Sequence, residues 1–291
     1  MSVIDQTIAN KYALYRGDCV EVLNDLPDDS IGFTVFSPPF ASLYTYSDDP
    51  RDMGNTKDDD EFFRHFGYLV PHLFRVTMPG RLAAVHCMNL PSSKMRHGVI
   101  GMRDFRGEII RSMEAAGWIF HSEICIWKDP VTAMQRTKAL GLLYKQIKKN
   151  SAMSRQGIPD HVCVFRKPGD NPEPITHTPE EFPVGLWQRY ASPVWMDINQ
   201  SDTLQYRSAR ENEDERHICP LQLEVIRRCI RLWSNPNDVV LSPFAGIGSE
   251  GHVAIDEGRR FVGAELKKSY YEQARRNLDA VANPAQVTMF G

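Results

Sequence analysis

The sequence predicts an α/β fold: a mostly parallel sheet with helices on both faces. Three observations predict it. Short apolar runs recur along the chain between turn residues, as buried strands do. Between them, apolar residues recur three and four positions apart, as on one helical face. One strand–helix junction is glycine-rich, and open α/β sheets place ligands at such junctions. Strands that alternate with helices pair in parallel and need cover on both faces.

Taken in order, Ile31–Phe36 is the first buried strand, bounded by Asp28, Asp29 and Ser30 before it and by Pro38 and Pro39 after it. A loop runs from Ala41 to Lys57. Phe62, Phe66, Leu69 and Leu73 then mark one helical face, with Pro71 placed to kink it. Pro79 and Gly80 end that unit, and Leu82–Cys87 is the next strand. Ile109, Ile110, Met113 and Ala116 mark a helix that Gly117 stops. Strands follow at Ile119–Trp127 and His161–Phe165. From Pro168 to Pro193 the chain is proline-rich and reads as an irregular surface crossing. Beyond Pro220, Val225, Ile226, Cys229, Ile230 and Trp233 form a helical stripe. The last units are a strand at Val239–Leu241, a glycine turn with a helix to about Glu257, a strand at Phe261–Ala264, and a helix from Ser269 to Ala280.

Composition narrows the class. The chain has 291 residues, 42% hydrophobic and 24% charged, which are globular proportions that exclude collagen, disorder and coiled coil. No apolar run is long enough to span a membrane as a helix. The opening MSVIDQTIANKY has neither the basic nor the apolar region of a secretory signal. A net charge of −3 does not advertise a nucleic-acid binder, although a local basic strip can serve a neutral protein. The six cysteines have no CxxC spacing, so they read as buried thiols in a reducing, cytoplasmic setting and no metal site is expected.

Two motifs carry chemistry. Ser242–Gly251 follows a strand, opens a helix and contains G-x-G-x-x-G; Glu265 ends the next strand, 17 residues after Gly248. Glycines let the backbone turn sharply, a helix start offers free N–H groups, and the acid suits a ribose diol. NAD enzymes and methyltransferases share this pattern. A dinucleotide fold needs a second half, whereas 26 residues follow Glu265. A one-nucleoside ligand such as S-adenosylmethionine fits better. The second motif is Phe36-Ser37-Pro38-Pro39-Phe40, at a strand's carboxyl end. Two prolines fix the backbone and remove two N–H donors. Carbonyls, a hydroxyl and the face of Phe40 then suit an exocyclic amino group on a planar base. A plain structural turn would account for the tetrapeptide taken alone.

These motifs sit in a longer pattern. Gly17-Asp18-Cys19-Val20-Glu21-Val22-Leu23, Leu26–Ser30, Ser37–Phe40, Arg75–Gly80, Gly117-Trp118, Trp127-Lys128, Val194–Ile198, Arg216-His217 with Pro220, and the Gly246/Gly248 turn follow one another. In that order the chain resembles the β-class amino-directed DNA methyltransferases, from about Tyr15 to Leu278. The resemblance implies a Rossmann-like methyltransferase fold with a circularly permuted motif order, the catalytic motif preceding the cofactor motif. Two points stand apart. The family's cofactor motif usually begins Asp-Pro-Phe, where this chain has Ser242. The catalytic motif begins with Ser37, which the family pairs with cytosine N4 more often than with adenine N6.

The resemblance implies roles by region. Ser37, Pro38, Pro39 and Phe40 would form the catalytic corner. Asp18, Cys19, His217, Pro220, Phe244, Ala245, Gly246, Gly248 and Glu265 would hold S-adenosylmethionine. Asp18 reads equally as a cap, and Pro220 as the first residue of a helix. Between Val131 and Pro159 stand Arg136, Lys138, Lys145, Lys148, Lys149 and Arg155 with no acid. A charge run is usually a solvated face, but an unbalanced insertion between strands favours phosphate contacts with duplex DNA. Tyr44 and Tyr46 could close over a flipped base or be ordinary loop aromatics. The expected organisation is a catalytic part over 1–130, a basic insertion over 131–160, a core strand over 161–168, a target-recognition region over 169–215 and a cofactor-binding part over 216–291. The expected activity is methylation of a flipped base, with cytosine N4 ahead of adenine N6. Rivals are protein-glutamine methylation, an NAD oxidoreductase and a non-catalytic DNA-binding protein. A homodimer and a restriction-enzyme partner are both open.

Overall fold

The computed structural model describes residues 3–40, 51–92, 94–131, 144–153, 155–205 and 220–283. Its strands are β1 (Asp5–Ile8), β2 (Tyr12–Arg16), β3 (Ile31–Phe36), β4 (Thr77–Cys87), β5 (Leu90–Ser92), β6 (Gly101–Arg103), β7 (Ile119–Ile126), β8 (Asp160–Arg166), β9 (Val194–Trp195), β10 (Val239–Ser242) and β11 (Arg260–Glu265). The α-helices are α1 (Cys19–Asn24), α2 (Asp59–Val76), α3 (Lys94–His97), α4 (Phe105–Ala115), α5 (Tyr144–Asn150), α6 (Val184–Tyr190), α7 (Leu223–Trp233), α8 (Ser249–Asp256) and α9 (Lys268–Ala282). Nine strands form one sheet in the order β1-β2-β11-β10-β3-β4-β8-β7-β9, and β5 pairs with β6 apart from it. The run from β2 through β11, β10 and β3 to β4 is parallel. The β7–β8 hairpin joins β4 antiparallel.

Side-chain alternation along each strand explains the cover on both faces. In β4, Leu82 and Ala84 enter one core while Ala83, Val85 and Cys87 enter the other. β8 divides in the same way, Val162 and Val164 against Cys163 and Phe165. Helices α7, α8 and α9 close the first core, through residues such as Ile226, Val253 and Ala274. Helices α1, α2 and α4 close the second, through Leu23, Phe66 and Ile109. Among the described residues, no helix is long and apolar enough to cross a membrane.

Several boundaries differ from expectation for identifiable reasons. β1 and β2 carry no continuous apolar run: β1 is an exposed edge, and only Tyr12 and Leu14 of β2 are fully buried. Helix α2 continues past Pro71 without a break. The N–H that Pro71 lacks would have met the carbonyl of Gly67, and both residues face solvent, so water can replace that bond. Pro79 and Gly80 do not precede β4 but lie inside it, as a bulge between the Ile31/Thr77 and Phe33/Leu82 pairs. Gly80 has φ 70°, and a Cβ there would lie 2.7 Å from the Asn171 backbone nitrogen. The stretch 168–193 is not wholly an irregular surface crossing, because it contains α6, whose Tyr190 is buried. Just beyond it, Trp195 and Ile198 reach the core. The guanidinium of Arg228, itself fully buried, sits 5.0 Å from the Tyr190 ring and 5.1 Å from that of Trp195. It also bonds Asp197 at 2.8 Å and Glu224 at 2.9 Å. A long-range cation thus orders a segment whose local composition favours no element.

Candidate active site

Strands β2, β11, β10 and β3 are parallel neighbours, so their carboxyl ends open side by side onto one cleft. Chain leaving β3 passes to α2 on one face, and chain leaving β10 passes to α8 on the other. A crevice forms at such a reversal because the two connections diverge. Ser37, Pro38, Pro39 and Phe40 line it from β3; Phe244, Ala245 and Gly246 from β10; Glu265 from β11; Asp18 and Cys19 from β2; and Pro220 from ahead of α7. Residues far apart in sequence are therefore brought to one wall. Arg51, Asp52, Met53 and Tyr270 also line it and belong to no recognisable spacing, while Ile247 and Glu250 line it from variable positions of the glycine motif, to which the sequence assigned no role.

The glycine turn is built as its composition requires. Gly246 has φ 53° and Gly248 φ 86°, the left-handed region that other residues rarely adopt. The Gly246 amide donates to Glu265 Oε2 at 2.9 Å, and the Lys267 amide donates to Oε1 at 2.8 Å. Burial pushes the Glu265 carboxyl up to about 8 despite those two donors. Glu250, in the first turn of α8, is 5% exposed, and burial pushes it to about 8 as well, with Glu265 adding repulsion. Among the described residues no other residue hydrogen-bonds its carboxyl. Gly248 is absent from the cleft wall; a Cβ there would lie 3.3 Å from Ala274 of α9, so its place is in helix packing. Asp18 does cap α1, accepting from the amides of Val20 at 2.8 Å and Glu21 at 3.2 Å, and it lines the cleft as well. Cys19 is buried, and burial pushes its thiol well up. His217 lies outside the described residues.

At the β3 corner, Ser37 Oγ is 3.1 Å from His86 Nδ1. His86 Nε2 is 3.2 Å from Asp160 Oδ2, and Asp160 Oδ1 is 2.5 Å from Lys128 Nζ. Neither His86, Asp160 nor Lys128 was anticipated as a site residue. The sheet register joins them: β3 pairs with β4 as Phe36 against Val85, and β7 pairs with β8 as Ile126 against Asp160. Phe40 stands edge-on to His86 with ring centroids 6.5 Å apart. Lys145, Lys148 and Lys149 are exposed on α5, and none is paired with an acid among the described residues. Lys148 Nζ lies 4.5 Å from the Tyr144 ring centroid. Arg155 is half-buried and bonds the Gln156 carbonyl at 3.0 Å. Arg136, Lys138, Tyr44 and Tyr46 lie outside the described residues. Cys19, Cys87, Cys125, Cys163 and Cys229 are free thiols.

Sheet order, two-sided cover and a cleft at the strand ends define a Rossmann-like methyltransferase fold, with the Ser37 corner ahead of the glycine turn in the chain. A family model for DNA methylases matches residues 31–276, and the chain belongs to that family of N6-adenine and N4-cytosine enzymes, which draw on S-adenosylmethionine. The type II methyltransferase M.XycI of Xanthomonas campestris pv. cyanopsidis is 42% identical over 288 residues, covering 91% of this chain and 87% of its own. Among solved structures, the putative DNA modification methylase TTHA0409 of Thermus thermophilus, complexed with S-adenosyl-L-methionine, superposes with a TM-score of 0.68 at 22% identity, covering 94% of this chain and 96% of its own. The cytosine-N4-specific PvuII DNA methyltransferase superposes with a TM-score of 0.65 at 18% identity, covering 97% of both.

Proposed function

We propose that this protein moves the methyl group of S-adenosylmethionine to the exocyclic amino group of a base flipped out of duplex DNA, with cytosine N4 as the acceptor. One observation carries this reading: the Ser37-Pro38-Pro39-Phe40 corner and the Gly246–Glu265 turn line the same cleft. A base in the corner therefore lies beside a nucleoside in the turn.

The lining suits that cofactor. It is a cation with a ribose, and the cleft offers the buried carboxyls of Glu250 and Glu265. Each Glu265 oxygen accepts one amide and keeps a second lone pair for a ribose hydroxyl. Asp18, Cys19, Pro220, Phe244 and Ala245 complete the holding set, and His217 completes it from the segment after 205. When bound, S-adenosylmethionine supplies an electrophilic methyl group. Ser37 Oγ and the Pro38 carbonyl accept hydrogen bonds from the amino group, which directs its lone pair toward the cofactor side of the cleft. Phe40 stacks on the ring, and Pro39 fixes the turn. Positioning of this kind supplies much of a transfer rate and needs neither a nucleophilic cysteine nor a metal.

DNA is held outside the cleft. Exposed Lys145, Lys148 and Lys149, which pair with no acid among the described residues, support phosphate contacts from the 131–160 insertion, to which Arg136, Lys138 and Arg155 belong. The 169–215 region serves target recognition, and Trp187 there is 54% exposed on α6. Flipping costs a few kcal/mol, returned by stacking and hydrogen bonding in the corner. We place the protein in the cytoplasm with its DNA; a homodimer or a restriction-enzyme partner would be a further arrangement. Ser37 at the head of the corner favours cytosine N4. The test is incubation of duplex DNA with protein and cofactor, digestion to nucleosides and mass spectrometry. N4-methylcytosine is the expected product. N6-methyladenine alone would replace the acceptor and leave the rest, and no methylated base on varied duplexes would overturn the reading.

A further inference from the structure

We propose that His86, held by Asp160 and Lys128, receives through Ser37 the proton that the target amino group loses. The inference rests on the amino-directed transfer proposed above. An amino nitrogen that gains a methyl group becomes cationic and must shed a proton. The Ser37 hydroxyl lines the cleft, but a hydroxyl that takes a proton has to release its own. His86 Nδ1, at 3.1 Å, is the acceptor within reach.

The surroundings prepare that nitrogen. Nε2 stands 3.2 Å from Asp160 Oδ2, and a ring protonated on the side of that carboxylate turns its Nδ1 lone pair toward Ser37. Asp160 is 3% exposed. Burial alone would raise its pKa, but Lys128 and His86 outweigh burial and hold it at about 2, so it stays anionic. A buried carboxylate beside the ring stabilises the imidazolium when it forms. Nearby, Glu123 is taken up by Arg106 and lies 2.5 Å from His161 Nδ1.

The step balances. As the amino nitrogen bonds the methyl carbon, the bond from that carbon to sulfur breaks and its electron pair stays on sulfur. The amino N–H bond then breaks, its proton goes to Ser37 Oγ, and the Ser37 hydroxyl proton goes to His86 Nδ1. One positive charge enters on the methyl donor and one resides on His86, until the ring returns a proton to solvent. His86 and Asp160 act through Ser37 and are positioning residues.

Two readouts test this. Nitrogen-15 imidazole NMR of the protein without ligands should show the His86 ring proton on Nε2 with Nδ1 bare, and Asp160→Asn, which keeps the side-chain volume, should shift the tautomer balance. In single-turnover assays, His86→Ala should lower the transfer rate about 100-fold, with cofactor and DNA affinities changed less than about threefold. If the two residues form one path, the double variant Ser37→Ala/His86→Ala should be no slower than Ser37→Ala. An Nδ1-protonated ring, an unchanged rate in folded His86→Ala, or losses that multiply in the double variant would each overturn the relay while methylation by the unmodified protein stands. Failure of the unmodified protein to methylate any base would overturn the reading beneath it as well.

Discussion

Glu265 accepts the Gly246 amide at 2.9 Å, so the acid that ends one strand braces the turn that ends its neighbour. β10 and β11 pair with Ser242 against Gly263, which brings the two strand ends within one hydrogen bond. The carboxyl thus has two tasks, shaping the turn and facing the cleft.

Glu265→Ala should therefore weaken S-adenosylmethionine binding without unfolding the protein. Loss of hydrogen bonds from a charged group costs about 1.5–3 kcal/mol, roughly a 10- to 100-fold rise in Kd. Calorimetric titration measures it, with a thermal melt as the folding control. Unchanged affinity in a folded variant would remove Glu265 from the cofactor site.

The two buried glutamates make binding pH-dependent, with a definite sign. Both carboxyls are raised from the ordinary 4.5 to about 8, so the folded protein without ligand holds their protons more tightly than the unfolded chain. The stability this contributes is complete below about pH 4.5 and is lost as pH rises through about 8. A cationic ligand favours the carboxylate forms. Its affinity should rise across that window by up to about tenfold per pH unit for each carboxyl that gives up its proton on binding. Titrations at several pH values in Glu250→Gln and the unmodified protein would show it. A flat profile in both rules the two carboxyls out as the source.

Replacing Lys145, Lys148 and Lys149 by Ala should lower DNA affinity and flatten its salt dependence. Each lost phosphate contact reduces the slope of log affinity against log salt by about 0.9. Cofactor binding should stay the same. Fluorescence anisotropy across a salt series decides it, and an unmoved slope would make α5 a solvated face.

The third glycine of the turn motif has a packing role that Gly251→Ala would expose. A Cβ there would lie 2.5 Å from the Phe261 ring and 2.7 Å from Leu278, while nothing in its backbone demands glycine. Overpacking of this kind costs about 1–3 kcal/mol. Chemical denaturation should show that loss, and the folded fraction should still bind cofactor. A variant as stable as the parent would mean that α8 can move off the sheet.

Much of this was legible in the chain. The strands around β3, β4, β8, β10 and β11 are short apolar runs, and helices α2, α4, α7 and α9 carry apolar stripes, because burial on one or both faces writes itself into periodicity. The Ser37 corner and the glycine turn were legible because proline and glycine restrict or extend the backbone in ways few other residues can. Other features were decided only by tertiary structure. Tyr190 and Trp195 are ordered by Arg228 from a distant helix, so their proline-rich surroundings read as loop. Glu250 becomes a cleft carboxyl because α8 starts at the switch point. His86, Asp160 and Lys128 lie on three segments with no common spacing, and what unites them is the register of β3, β4, β8 and β7. Local sequence records which faces a residue buries; it holds no record of which strand lies beside it, and the Ser37–His86–Asp160 alignment depends on that pairing.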